Sequence, residues 1–145
     1  MFPLIFHVDF DSKSQTLRAR AEGRITDKEL KDFYATGFRW VALLKPRGAI
    51  TDLSSVTSFD VSHDTIRELA RSESIFPDPH LPRVIIAPSS QVFGMARMFE
   101  IQGEGSRPAL HVVRTEQEAY AVLGILQPQF EPVPRELPQR DELAP

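Results

Sequence analysis

Three short apolar segments constrain the fold of this chain more than any other feature. Ala49–Leu53, Arg83–Ala87 and Ala109–Val113 have the length and apolar content of β-strands. Arg83–Ala87 has almost no polar alternation, which is typical of a strand covered on both faces. A helical pattern follows each segment, at residues 62–73, 90–102 and 115–126. This alternation predicts parallel strands joined by right-handed helical crossovers.

The N-terminal third adds a hairpin and a long helix. Apolar and polar residues alternate over 4–10 and 16–22, with a short polar segment between them, so we expect a β-hairpin that ends at Gly23. Thr26 and Glu29 have the spacing of a helix capping box, and apolar residues then recur at helical steps. The predicted fold is therefore α/β, with a mixed, mostly parallel sheet of about five strands and about four helices.

The C-terminal segment differs in composition from the rest of the chain. Residues 127–145 contain five prolines and no hydrophobic periodicity, which predicts an extended or disordered tail. An alternative is a strap that docks on a partner or on the domain itself through Phe130 and Leu137. The predicted organisation is one domain over residues 1–126, followed by a proline-rich tail over 127–145.

Composition excludes several classes of function. The absence of cysteine excludes a disulfide scaffold, a thiolate metal site and a cysteine nucleophile. The net charge of -3 argues against a general binder of nucleic acid or of anionic membranes. No run approaches the roughly 18 apolar residues that span a bilayer, and the apolar start has no basic region, so we expect a cytoplasmic protein without membrane insertion.

Motifs for catalysis or for binding a cofactor are absent from the sequence. It contains neither a glycine-rich phosphate loop nor a nucleophile elbow. Its four histidines lack the spacing of metal ligands. We therefore expect no enzymatic activity, no metal and no cofactor, with acid–base catalysis by the carboxylates Asp60 and Asp64 as an alternative.

The segment that connects the first apolar strand to the next helix is a candidate interaction site. Asp52 stands at the predicted strand end, a loop is expected after it, and Asp60, Ser62 and His63 stand at the predicted helix start. Helix N-termini attract anions, because their backbone N–H groups lack helical partners. A phosphate on Ser62 would be stabilised there, whereas in the alternative interpretation Ser62 is simply the helix N-cap.

This part of the chain resembles a known fold. The hairpin, the strand end Asp52–Ser54 and the helix start Phe59–Ser62 are similar to the STAS fold of sulfate-transporter and anti-sigma-factor-antagonist domains. The segments Pro82–Pro88, Phe93–Phe99 and Val112–Tyr120 resemble a bacterial branch of small stand-alone proteins described as SpoIIAA-like or STAS/SEC14-like. The resemblance extends over roughly residues 1–126, the whole of the predicted domain.

The resemblance implies a regulatory function. In the antagonists, an Asp-Ser-Ser-Gly motif presents a phosphorylatable serine at a helix start. By position, Asp60 matches the aspartate and Ser62 the phosphoacceptor, while Val61 and His63 replace the first serine and the glycine. The chain would then be a non-catalytic protein-interaction module whose partner is another protein or a second copy in a homodimer.

The helix predicted over 90–102 suggests a second candidate site, because it carries methionine and phenylalanine around much of its circumference. The SEC14-like side of the resemblance implies binding of an apolar small molecule or lipid. We expect such a pocket between this helix and the first helix, with the alternative that the helix is simply buried against the sheet. The predicted lining consists of Phe38, Trp40, Met95, Met98 and Phe99.

Overall fold

A computed structural model describes residues 5–72, 74, 77–105 and 107–133. Strands and helices alternate along the chain, as the apolar patterns predict. In chain order the elements are β1 (Ile5–Asp11), β2 (Thr16–Thr26), α1 (Asp27–Leu44), β3 (Gly48–Asp60), α2 (His63–Arg71), β4 (Arg83–Ile86), α3 (Ser90–Gln102), β5 (Leu110–Val113), α4 (Glu116–Leu123) and β6 (Glu131–Pro132). The predicted α/β class is confirmed.

The described strands form one mixed sheet in the order β5-β4-β3-β2-β1-β6. Strands β2 to β5 are parallel, and one helix joins each of them to the next. β1 is antiparallel both to β2 and to β6. The sheet has six strands where about five were expected, because Glu131–Pro132 adds a short strand from the segment predicted as a tail.

The two faces of the sheet are covered by different helices. On one face, α1, α2 and α3 pack over a cluster that includes Ile25, Leu53 and Ile66. On the other face, α4 packs over Ile50 and Val84. Successive side chains of a strand point to opposite faces, which explains why Ile50 and Leu53 belong to different clusters. The predicted coverage of β4 on both sides follows from this arrangement.

The longest ladder joins β2 to β3 and differs from expectation in two places. The register shifts between Arg20 and Glu22 and again after Gly23, which has a φ of 93°. The prediction that Gly23 ends the second strand is wrong, because the glycine permits an irregularity after which the strand continues. The predicted loop after Asp52 is also wrong: β3 runs on to Asp60 and pairs with the continued part of β2.

Part of the C-terminal segment lies along the outer edge of β1. β6 pairs with Asp9 and Phe10, and the Val133 N–H donates to the Val8 carbonyl oxygen at 3.0 Å. The ring of Phe130 lies against the guanidinium of Arg18, with 4.2 Å between the guanidinium carbon and the ring centroid. Residues 134–145, and with them Leu137, lie outside the described residues.

Candidate functional site

Ser62 is the N-cap of α2, and both its backbone N–H and its hydroxyl group form hydrogen bonds. Its hydroxyl oxygen accepts the Thr65 N–H at 3.2 Å, as a capping serine does. Its own N–H donates to a carboxylate oxygen of Asp27 at 2.7 Å. That bond lowers the pKa of Asp27. The carboxylate of Asp27 therefore occupies the position at this helix start where an external anion would bind the Ser62 N–H.

The other predicted interaction residues lie on β3 and at the start of α2. Asp60 pairs with Arg24 at 2.8 Å on the exposed surface, and His63 is exposed at the first position of α2. Asp52 instead accepts the backbone N–H of Ser54 at 3.0 Å. Asp52 and Asp60 are separated by eight residues of extended strand, which correspond to about 25 Å. The structure thus brings Asp60, Ser62 and His63 together, and places Asp52 far from them.

A cavity of about 160 Å³ lies between the sheet and the layer formed by α1, α2 and α3. Apolar side chains make up most of its wall. On the face covered by α1, α2 and α3, the apolar lining residues are Val8, Leu17, Ala19, Leu30, Phe33, Trp40, Ala49, Leu53, Phe59, Ile66, Leu69, Ile85, Val92, Met95, Ala96, Phe99 and Leu110. Every strand from β1 to β5 and each of the three helices contributes to this list.

Small residues in the wall help to leave this space open. Ala19 and Ala49 lie on the helix-facing side of the neighbouring strands β2 and β3, where Ala49 pairs with Leu17 and Ala19 pairs with Thr51. Gly37 of α1 and Ala96 of α3 line the cavity from the helical layer. Where large side chains stand at such positions, close packing fills the interior. Here small residues stand in the wall on both the sheet side and the helix side, which leaves part of the interior unfilled.

Two buried arginines line the same cavity. Arg83 is 5% exposed and Arg107 is 3% exposed. Arg83 donates to the Ser74 hydroxyl at 2.6 Å and to the Pro79 carbonyl at 3.2 Å. Burial, together with the neighbouring positive charge of Arg107, lowers the pKa of the Arg83 guanidinium. The two side chains therefore place like charges close together in a poorly hydrated part of the protein.

Arg107 connects α1, α2 and α3 at this end of the cavity. Its guanidinium donates to the Ala70 carbonyl at 2.8 Å and to the Tyr34 hydroxyl at 2.7 Å. It also lies over the ring of Phe99, 4.7 Å from the centroid. A Cβ on Gly103 would come within 2.7 Å of the guanidinium, so the glycine that ends α3 leaves the space that Arg107 fills.

The predicted pocket residues divide into two groups. Trp40, Met95 and Phe99 line the cavity, whereas Phe38 and Met98 are not part of its wall. Phe38 is 37% exposed and contacts Tyr34 edge-on at 5.8 Å between ring centroids. On a helix, residue 38 is rotated about 100° from residue 37, so it leaves the stripe that faces the sheet. Met98 packs instead at the border of the core cluster.

The arginines of the cavity were not found from the sequence. A charged residue at the start of the apolar run Arg83–Ala87 is a weak signal, since strand ends commonly carry charge. Arg107 follows the glycine-containing turn after α3 and gave no signal, because its burial depends on helices that are distant in the sequence. Only the folded chain places both arginines in the wall of one cavity.

Comparison of the sequence with protein-family models gives no match, and comparison with curated proteins gives none either. Within the part of the chain that the structure describes, no helix has both the length and the apolar character needed to cross a bilayer. The site is therefore interpreted from its own geometry and chemistry.

Proposed function

We propose that this protein binds a small apolar molecule in the cavity between its sheet and helices α1 to α3. The observation that carries the proposal is the cavity itself, about 160 Å³ with a wall made mostly of aliphatic and aromatic side chains. Protein interiors are normally packed as densely as organic crystals, and a void of this size costs stability. A bound ligand would supply the van der Waals contacts that the residues around the void lack.

The size of the cavity defines the scale of the ligand. Engineered apolar cavities of about 150 Å³ remain dry and bind benzene or xenon. The cavity of this protein, at about 160 Å³, falls in the same range. A single aromatic ring or a short hydrocarbon chain is the scale of ligand that this volume supports.

The resemblance to SpoIIAA-like and STAS/SEC14-like proteins remains a proposal beside this one. The parallel strands β2 to β5 and the placement of Ser62 at a helix start are compatible with it. A cytoplasmic, bacterial interaction module that acts as a homodimer stays a prediction of that resemblance. The bond from Ser62 to Asp27 favours the N-cap interpretation of Ser62 over an anion-binding one, so the cavity is the better-supported site.

A cavity-filling variant tests the proposed function. Ala96→Leu adds three carbon atoms to a residue of the cavity wall, so we expect it to abolish binding of benzene to the full-length chain. Ala121→Leu makes the same change at an exposed position of α4 and serves as the matched control. Binding is measured by NMR titration with benzene. Equal benzene binding by wild type and Ala96→Leu, or none by wild type, would contradict the proposal.

A further inference from the structure

The charges in the cavity wall indicate what kind of apolar molecule it accepts. Arg83 and Arg107 are the two charged residues among those that line it. We infer that the ligand is an apolar carboxylic acid whose carboxylate binds at Arg83 and Arg107 while its hydrocarbon part occupies the rest of the cavity. This inference rests on the proposed function, because it needs the cavity to be a binding site.

The sheet register gives the cavity a polar end and an apolar end. Arg83 is paired with Ala49 on one side and with Leu110 on the other, where strands β3, β4 and β5 begin. Two residues further along β4, Ile85 faces the same helical layer, and Leu53 continues this face on β3. From Ala49 to Leu53 is four residues of strand, or about 13 Å. A molecule with one charged end and one apolar end matches this order.

Electrostatics favours an anion at the polar end. The guanidinium groups of Arg83 and Arg107 are both almost fully buried and repel each other. A carboxylate beside them would offset this repulsion, and charge–charge attraction is stronger in a poorly hydrated interior than in water. The planar fork of a guanidinium also matches the two oxygens of a carboxylate. A neutral ligand of the same shape would gain neither contribution.

Both arginines also form hydrogen bonds within the protein, so the test must separate a role in stability from a role in binding the ligand. Arg107 donates to the Ala70, Leu69 and Ser72 carbonyls, which lie at the C-terminal end of α2. Such contacts stabilise a helix end without any ligand. A purely structural role predicts that substitution changes the affinity for charged and neutral ligands alike. A role in binding the carboxylate predicts that only the affinity for the charged ligand changes.

Benzoate and benzamide form a matched pair of probes, because they share a shape and differ in charge. For the full-length wild type we expect benzoate to bind about tenfold more tightly than benzamide, the scale of a hydrogen bond to a charged group. In Arg83→Met, which keeps an unbranched side chain, the preference for benzoate over benzamide should decrease, because Arg107 alone then binds the carboxylate. Arg83→Lys restores a positive charge and should recover part of the preference. Titration calorimetry measures all three proteins.

Benzene, titrated into the same wild-type protein, distinguishes failure of this inference from failure of the proposed function. If benzene binds but benzoate binds no better than benzamide, the inference of a carboxylate ligand is overturned, while the proposed apolar binding site is retained. If the preference for benzoate is undiminished in Arg83→Met, Arg83 does not bind the carboxylate and the inference is also overturned. If none of the three compounds binds, the proposed function fails and the inference with it. Should Arg83→Met not fold, the comparison of Arg83→Lys with wild type decides.

Discussion

Ser62 and Asp27 show how one pair of residues fixes the starts of two helices. Asp27 is the first residue of α1 and Ser62 the N-cap of α2, and a single hydrogen bond of 2.7 Å joins them. The Ser62 hydroxyl completes the arrangement by accepting the Thr65 N–H. A phosphate on this hydroxyl would remove the capping geometry and place negative charge beside the Asp27 carboxylate. At the scale of single residues, Ser62 therefore has a structural role as the N-cap of α2.

The Asp27 carboxylate should make stability depend on pH in a defined direction. Its bond from the Ser62 N–H lowers its pKa from the ordinary value of 3.8. A lowered pKa in the folded state means that the carboxylate stabilises the fold above the unfolded-state pKa, and that this contribution is lost as the pH falls through the folded-state pKa. Urea unfolding of wild type and Asp27→Asn should therefore show a stability difference at neutral pH that shrinks towards zero in acid.

The Ser62→Ala variant is the control for this experiment. It removes the capping hydroxyl but keeps the N–H that Asp27 accepts, so it should cost about 1 kcal/mol at neutral pH and leave the acid dependence in place. A difference between wild type and Asp27→Asn that stayed constant from neutral to acid pH would show that the carboxylate does not stabilise the fold by its charge.

At the scale of elements, the sequence predicts what depends on local pattern and misses what depends on distant partners. β4 and β5 were predicted within one residue at each end, because a short apolar run bounded by turn residues identifies a buried strand locally. The second half of β3 was predicted as a loop, since its Ser- and Thr-rich composition is typical of loops. It is a strand because residues 22–26 of β2 lie beside it and pair with it.

The cavity was predictable only in part, for a related reason. The apolar composition of α1 and α3 indicated a pocket between them, and of the five residues predicted to line it Trp40, Met95 and Phe99 do so. Composition does not identify which residues stand opposite. The open space depends on small residues of β2, β3 and α3 lining the same cavity, and their common position is a property of the tertiary fold.

The docking of β6 offers a prediction for an element that has little pairing of its own. Phe130 fixes this segment through Arg18 and through the ring of Tyr120, whose centroid is 6.4 Å away. Because Phe130 is only partly buried, Phe130→Ala should cost about 1 to 2 kcal/mol and release the amides of Glu131 and Val133 for hydrogen exchange. Leu126→Ala, at a residue that is 88% exposed, is the control and should leave stability within about 0.5 kcal/mol of wild type.

Hydrogen exchange followed by mass spectrometry measures this release directly. Faster exchange of the Glu131 and Val133 amides alone would show that the segment is a local addition to the sheet. Unchanged exchange in Phe130→Ala would mean that backbone pairing with β1 suffices and that the aromatic contacts contribute nothing measurable.

At the scale of the whole molecule, the cavity lies where most elements meet. Val8 of β1, Ile66 of α2 and Leu110 of β5 are distant in the sequence, yet all three line it. Loss of any of these elements would open the wall, so the binding site exists only when the complete fold does. Ligand binding and global folding are therefore coupled, and binding to the native state alone must stabilise every element that the wall unites.

Because binding and folding are coupled, the concentration of ligand determines how much the free energy of unfolding increases. Benzene at one hundred times its dissociation constant should raise the free energy of unfolding by about 2.7 kcal/mol, measured by urea denaturation in sealed cells. The slowest-exchanging amides of β3 and β4 should gain protection by the same amount, because they exchange only through global unfolding. Ala96→Leu should show no gain in either measurement, while Ala121→Leu should behave as wild type. A gain confined to the amides of one helix would mean that benzene binds a local surface, and that the cavity shared by five strands and three helices is not where it resides.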